Sequence, residues 1–449
     1  MKTLVFAFLL LTHTLSYADQ LPYANDTFGC FSEKDANKYI QDFSVDVGSF
    51  GGLELCDNSK DTKKLLNDIY LIDKSSFKAD DQHKLIQGYV PSGTYYEWMK
   101  RQTFGVNRGH DIPWASAYNS GGYFTMQDGW ASSSTLGRVG TIIHEARHTE
   151  GYRHYPCQTG PYAGTELAGC DTSYSQGGSH AIEMEYYARV VLDSTNLHPV
   201  YQSMARLMAL GRTNFVFNQK PLQTREALAG FTGDKVVLLD GGQVFERATP
   251  RLDNSYKLKR TSFGASLVKG SHSIAVDLMT GGLGDAKLSD EYSYYKLFHV
   301  TRSGAPKTVV DTEEIDLGSN RYFVALNEEG KLITFNFPSG NWYPESAAFA
   351  GAKALVTRTP SGQTGLFVVN NEGAIAPFDP TNRRFGTILK EKWPSSVSAV
   401  AFGGDKLFKL LSSGVVVDAS TEQAVRGLEN YHFTDLVNVP VYDAFEIRP

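Results

Sequence analysis

Cysteine is scarce in this chain, with four in 449 residues, and no two of them form a C-x-x-C pair. That argues against cysteine metal ligands. Blocks of like charge are also missing. A net charge of -6 is spread along the sequence, which excludes the basic patches that nucleic acid or acidic lipid would require. Nor is there an apolar run long enough to cross a bilayer. The longest, Leu4 to Leu11, is too short to span, so no membrane span is expected.

That short run has its own meaning. Lys2 supplies a positive start and Ser16-Tyr17-Ala18 a small-x-small cleavage site, so residues 1–18 read as a secretory signal peptide. The expected location is secreted or periplasmic. All four cysteines follow the leader, and an even count in an oxidising compartment predicts two disulfides. Three connectivities are possible; proximity favours Cys30–Cys56 and Cys157–Cys170. A chain of this length has room for two or three domains.

The strongest local signal is His144-Glu145-Ala146-Arg147-His148-Thr149-Glu150-Gly151-Tyr152-Arg153-His154, an H-E-x-x-H-x-x-G-x-x-H pattern. Histidines at i and i+4 share one helical face and can share one tetrahedral metal, with the glutamate beside it as general base. His154 completes three neutral imidazoles and leaves a fourth zinc position open to water. Gly151 lets the chain turn sharply out of the helix, since glycine accepts a positive φ. Ala131 to Ser134 offer N-caps for a helix over residues 135–150, with Leu136, Val139, Ile142, Ile143 and Ala146 on the side away from the histidines. Gly137 and Gly140 fall on the histidine side and read as room for metal and substrate. Further helices are expected from Asp61, over residues 94–102, 180–193 and 199–211, with a turn and extended segment at Tyr118 to Trp130.

The C-terminal half has a different character. Short apolar strands run to glycines 242, 330, 373 and 414 and return, at a period of about 40 residues. Phe231-Thr232-Gly233-Asp234-Lys235 and Phe402-Gly403-Gly404-Asp405-Lys406 repeat one another. Five such units read as a five-bladed β-propeller, with a β-sandwich of hairpins as the alternative. The second unit, with candidate turns at Gly270 and Gly304, is irregular.

The His144 to His154 motif resembles the extended zinc site of the metzincin metallopeptidases. The likeness implies an α+β zincin-like catalytic domain over residues 19–215, with His144, His148 and His154 as Zn2+ ligands and Glu145 as catalytic base. A linker over residues 216–230 and the propeller-like domain over residues 231–449 follow. It also implies a methionine turn beneath the metal. Met184 is the candidate, because Met184-Glu185-Tyr186 resembles the Met-x-Tyr of astacins and serralysins, which would make Tyr186 a zinc-site tyrosine. Tyr155 matches none of the subfamily-marking residues, so the resemblance is to a divergent member.

The expected function is therefore an exported zinc endopeptidase acting on a protein or peptide substrate, with an unknown ligand for the propeller. The alternatives are an exported binding or adhesion protein with a structural zinc, or a zinc amidase acting on cell-wall peptides. His110 and His180 read as surface or capping histidines. Glu183 or Glu185 could stand in for His154 as third ligand. Tyr123, Tyr152 and Tyr162 are oxyanion candidates.

Overall fold

The computed structural model describes residues 28–445, apart from 79–82, 91–93, 113–114, 160–162, 165–167, 198, 249–254, 270–271, 279–308, 318–319 and 337–340. The leader, Tyr162, Gly270 and Gly304 lie outside the described residues.

Helices dominate the first half. α1 (Glu33–Asp42) starts at Ser32, whose hydroxyl accepts from the Asp35 backbone N–H at 3.1 Å. α2 (Asp61–Lys74) buries Leu65, Leu66, Ile69, Leu71 and Ile72, and α3 (Tyr95–Gln102) follows. Three short strands, β1 (Gly105–Arg108), β2 (Ala117–Ser120) and β3 (Tyr123–Met126), form a sheet in the order β1-β3-β2. One turn of helix, α4 (Asp128–Ala131), leads into α5 (Thr135–Thr149).

α5 starts where the sequence indicates. Ser134 accepts from the Gly137 N–H, and Leu136, Val139, Ile142, Ile143 and Ala146 are all buried. Each large apolar side chain on that face contributes roughly 1.5–3 kcal/mol by leaving water. α5 is pinned to α2 by a buried ion pair. Arg138 Nε donates to both Asp68 carboxylate oxygens at 2.9 and 3.1 Å, and Trp130 Nε1 donates to the same carboxylate at 3.1 Å. Beyond α5 come β4 (Tyr155–Pro156), β5 (Ala168–Ser173), α6 (Ser179–Leu192), α7 (Pro199–Phe215) and β6 (Phe217–Gln219), which pairs in parallel with β5.

The second half is propeller-like. Among the described residues, five sheets of three or four strands succeed one another from Thr224 onward. Their first strands form a ring. The C-terminal strand Asp435–Tyr442 lies against Lys257–Thr261, that against Asp311–Leu317, and that against Ala352–Arg358. Arg358 then sits 5.1 Å over the Phe402 ring of Val397–Gly403, which returns to Asp435–Tyr442. The ring closes because the last strand pairs with Thr224–Phe231 over its full length, Asp435 opposite Phe231 through Tyr442 opposite Thr224. Closure removes the unprotected sheet edge.

The turn glycines are where the sequence expects them. Gly242, Gly330, Gly373 and Gly414 all have φ between 76° and 85°. The last three share one further contact. Their carbonyls accept from Phe349, Trp393 and Phe433 N–H groups at 2.9, 2.8 and 2.9 Å, tying each hairpin to the segment that leaves its sheet.

One boundary needs correction. Residues 216–230 are not a linker, because Phe217–Gln219 is a strand and Thr224–Phe231 belongs to the first sheet of the propeller. Its partner strand lies some two hundred residues away, so nothing in the local sequence announces it. The halves also share one apolar core, in which Leu207 and Leu210 of α7 join Phe231, Leu258, Phe263 and Val439.

Replacing Asp68 with Ala strands Arg138 in this core. It should cost about 3–5 kcal/mol of unfolding free energy in denaturant titration, and a loss below about 1 kcal/mol would show that the pair is not a structural tie.

Candidate metal centre

α5 presents His144 and His148 one turn apart, and Gly151, at φ 91°, swings the chain back so that His154 joins them. His144 Nε2 lies 3.0 Å from His154 Nε2 and 3.2 Å from His148 Nε2. The opposite nitrogens all face acceptors. His148 Nδ1 meets the Tyr152 carbonyl at 2.6 Å and the Ser179 hydroxyl at 3.1 Å. His154 Nδ1 faces Asp171 Oδ1 at 3.4 Å, and His144 Nδ1 faces Glu183 Oε2 at 3.6 Å. A proton on each Nδ1 leaves a lone pair on each Nε2, so the lone pairs of His148 and His154 both face that of His144.

Such an arrangement fits a divalent ion. Nitrogens at zinc–nitrogen distances around a tetrahedral centre lie roughly 3.3 Å apart, close to the separations here. Burial pushes His144 well below the usual imidazole range, His148 down to about 4, and His154 down as well. All three are therefore neutral near pH 7, the form in which imidazole binds metal.

Glu145, between the ligands, is buried, and its Oε2 has no hydrogen-bond partner. Burial, helped by the charge of Glu183, raises its carboxyl to about 8. Its backbone carbonyl accepts from Asn119 Nδ2 at 2.5 Å, and the same amide reaches Thr149 Oγ1 at 2.8 Å. Asn119 belongs to β2, the edge strand of its sheet, so a strand edge is fastened beside the glutamate.

The residues behind the histidines are less visible in the sequence. Asp171 Oδ2 accepts from the backbone N–H groups of His180 and Ala181 at 2.9 and 3.0 Å, capping α6 from outside. Gly178 makes that approach possible, because a Cβ there would stand 2.5 Å from Asp171 Oδ2. Burial pushes the Asp171 carboxyl up, but His154, His180 and the backbone N–H outweigh it and hold it below the usual carboxylate range. Burial likewise opposes ionisation of Glu183, and Arg212 with the facing imidazoles overcomes it. Arg212 Nη2 and Tyr187 Oη both donate to Glu183 Oε1, at 2.6 and 2.9 Å. The Cys157–Cys170 disulfide brackets the pair His154 and Asp171, and β4 meets β5 with Tyr155 opposite Cys170. Both disulfides follow the pairing that proximity favours.

Several expectations are corrected. Met184 and Tyr186 lie inside α6, fully buried, so there is no methionine turn in this place. Tyr186 packs on Phe77 and Tyr95, at ring distances of 5.9 and 5.1 Å, away from the histidines. Gly140 leaves room for Tyr187, whose hydroxyl a Cβ there would overlap, rather than for metal or substrate. Glu183 supports His144 from behind and Glu185 accepts from the Gln87 N–H at 2.7 Å, so neither replaces His154. Tyr152 lies under the Arg147 guanidinium at 3.8 Å and Tyr123 is exposed. His110 is a surface residue paired with Asp128 at 2.7 Å. His180 is not: it is only 8 % exposed and touches two of the ligand rings. The Gly177-Gly178 pair before it was the available signal, since two glycines at a helix start mark a close approach.

One ring nitrogen from each of His144, His154 and His180 also lies within 4.8 Å of the other two. His180 spends its Nε2 on the Gly169 carbonyl at 3.1 Å. His148 is not in that group, although its Nε2 lies 3.2 Å from that of His144; with His180 Nε2 committed, the motif histidines remain the candidate ligands.

No protein-family model matches the chain, and no curated protein matches it. Solved structures that align with it include apo AztD from Citrobacter koseri, at 11% identity over 51% of this chain and 64% of that one, TM-score 0.22. BamB from Moraxella catarrhalis aligns at 16% identity over 44% and 61%, TM-score 0.22. The computationally designed Ika8 protein aligns at 13% over 46% and 59%, TM-score 0.23. The chain thus spans less than two thirds of each of these neighbours, and the propeller reading rests on the sheet order and ring closure above.

Replacing both Cys157 and Cys170 with Ser should lower unfolding free energy by about 3 kcal/mol, read by denaturant titration. An unchanged midpoint would mean that the β4–β5 pairing alone holds His154 in place.

Proposed function

We propose that the chain is an exported zinc-dependent endopeptidase of divergent metzincin-like type, whose propeller docks or presents the substrate. The approach of the His148 and His154 Nε2 atoms to that of His144, beside a buried Glu145 carboxyl whose Oε2 has no hydrogen-bond partner, carries this reading. Those three histidines would hold the ion. A bound zinc supplies Lewis acidity at the substrate carbonyl and brings water towards ionisation at neutral pH.

The remaining work falls to the chain's own groups. Glu145, raised to about 8, is matched to neutral pH, where one carboxyl can take a proton at Oε2 and return it to a leaving amine. Asp171, Glu183 and the Tyr152 carbonyl fix the tautomers and tilt of the ligands. β2 offers an edge to which an extended peptide can add as a further strand, its backbone aligned by main-chain hydrogen bonds. That edge favours a peptide over a compact substrate. The disulfides and the apolar leader support export into an oxidising compartment, and no helix among the described residues is long and apolar enough to cross a membrane.

A second reading is an exported binding protein with a structural zinc. Its support is a cleft of about 380 Å³ in the propeller, lined by Lys257, Lys269, Lys353 and Trp393 among others, distant in sequence from the histidines.

Glu145→Gln keeps the ligands and removes the base. It should retain one zinc per chain while casein hydrolysis falls by about 100- to 10,000-fold. Unchanged hydrolysis would sink the mechanism. Zinc-loaded wild type that cleaves neither casein nor cell-wall peptides would favour the binding protein, and cleavage of cell-wall peptides alone would favour the amidase.

A further inference from the structure

Four imidazole rings meet at this centre, although the motif accounts for three. The fourth, His180, is stacked on His154 with centroids 4.6 Å apart and planes 22° apart. It meets His144 edge-on at 4.4 Å and 62°. Both of its nitrogens point at acceptors. Nε2 lies 3.1 Å from the Gly169 carbonyl in β5, and Nδ1 faces Glu183 Oε2 at 3.6 Å. That oxygen is the one which His144 Nδ1 also faces at 3.6 Å.

The three ligands do not need equal help. His144 and His148 are set by the geometry of α5, whereas His154 arrives on a non-helical segment after Gly151, flanked by exposed Arg153 and Tyr155. An imidazole on such a segment has rotamer freedom to lose when metal binds, and a partner that removes that freedom beforehand raises affinity. Asp171 Oδ1 stands 3.4 Å from one edge of the His154 ring; a flat surface against its face is what remains to be supplied.

We propose that His180 is a positioning residue of the metal centre, which sets the ring plane of His154 by stacking against its face and meets His144 edge-on. It acts through His154 and does not itself bind the ion, because Nε2 is committed to Gly169 and Nδ1 faces the Glu183 carboxylate. This rests on the zinc reading, and the test separates the two. Wild-type protein that binds no zinc refutes the zinc reading itself. Where wild type binds one zinc, His180→Ala should weaken binding by about 10- to 100-fold in chelator competition. His180→Phe, which keeps the stack and the buried volume, should recover part of that loss and serves if the alanine variant does not fold. In a His154→Ala background the same His180 substitution should change affinity by less than about threefold, since coupled residues are non-additive. The cobalt-substituted spectrum of His180→Ala should keep the wild-type band positions, whereas His148→Ala should shift them. Equal zinc affinity for wild type and His180→Ala overturns the proposal. So does an undiminished effect without His154, or a shifted cobalt spectrum in His180→Ala, which would make His180 a ligand.

Discussion

The Nε2 atoms of His148 and His154 both approach that of His144, at 3.2 and 3.0 Å; lone pairs at that range repel unless a cation lies among them, and this chain spends much of its first half arranging that confrontation. α5 can place His144 and His148 only because its opposite face is buried and its start is capped by Ser134. His154 can reach them only because Gly151 accepts a positive φ. Each ring is then turned by an acceptor at its other nitrogen: a carbonyl for His148, carboxylates for His154 and His144. The cost falls on those carboxylates, which are buried in apolar surroundings and must be held ionised. Asp171 gains backbone donors at the start of α6, and Glu183 gains Arg212 and Tyr187.

How much of this can be read from the sequence follows from distance along the chain. The helix, its cap, the exit glycine and the three motif histidines lie within 21 residues, from Ser134 to His154, and local periodicity and turn chemistry reveal the helix, the cap and the turn. Both disulfides also join near neighbours in sequence. The turn glycines of the propeller were legible because each needs a left-handed backbone, whatever surrounds it. By contrast Asp171, His180 and Arg212 owe their roles to how α6 and α7 fold back on α5, and only the Gly177-Gly178 pair, which marks a close approach at the start of α6, hints at it. His180 had the look of a capping histidine because its position at the start of a helix is the local fact. The two rings it touches are tertiary facts. Met184 failed for the opposite reason: a three-residue likeness suggested a turn, while the helical pattern around it placed the side chain in the core.

The closing strand shows the same limit on a larger scale. Thr224–Phe231 reads as a short, mixed segment between two domains, and its pairing with Asp435–Tyr442 depends on the whole intervening chain returning to its start. Closure by the two ends of a repeat array is what protects the edges, so the segment least like a repeat unit is the one that completes the ring.

The metal centre and the propeller are joined through α7. Arg212, near its end, neutralises Glu183, which supports His144. Two residues later Asn214 Nδ2 donates to the Ser262 carbonyl at 2.8 Å and bonds Tyr442 of the closing strand. Arg206, on the same helix, pairs with Asp277. The C-terminal tail returns as well, with the Ala444 carbonyl 2.9 Å from His83 Nε2 and Asp443 2.8 Å from Lys84. An ionised, buried Glu183 requires Arg212 to stay where it is, and α7 is held by its packing on α6 and by the Asn214 and Arg206 links to the propeller. The second domain therefore helps to hold in place the groups that stand behind the candidate ligands of the first.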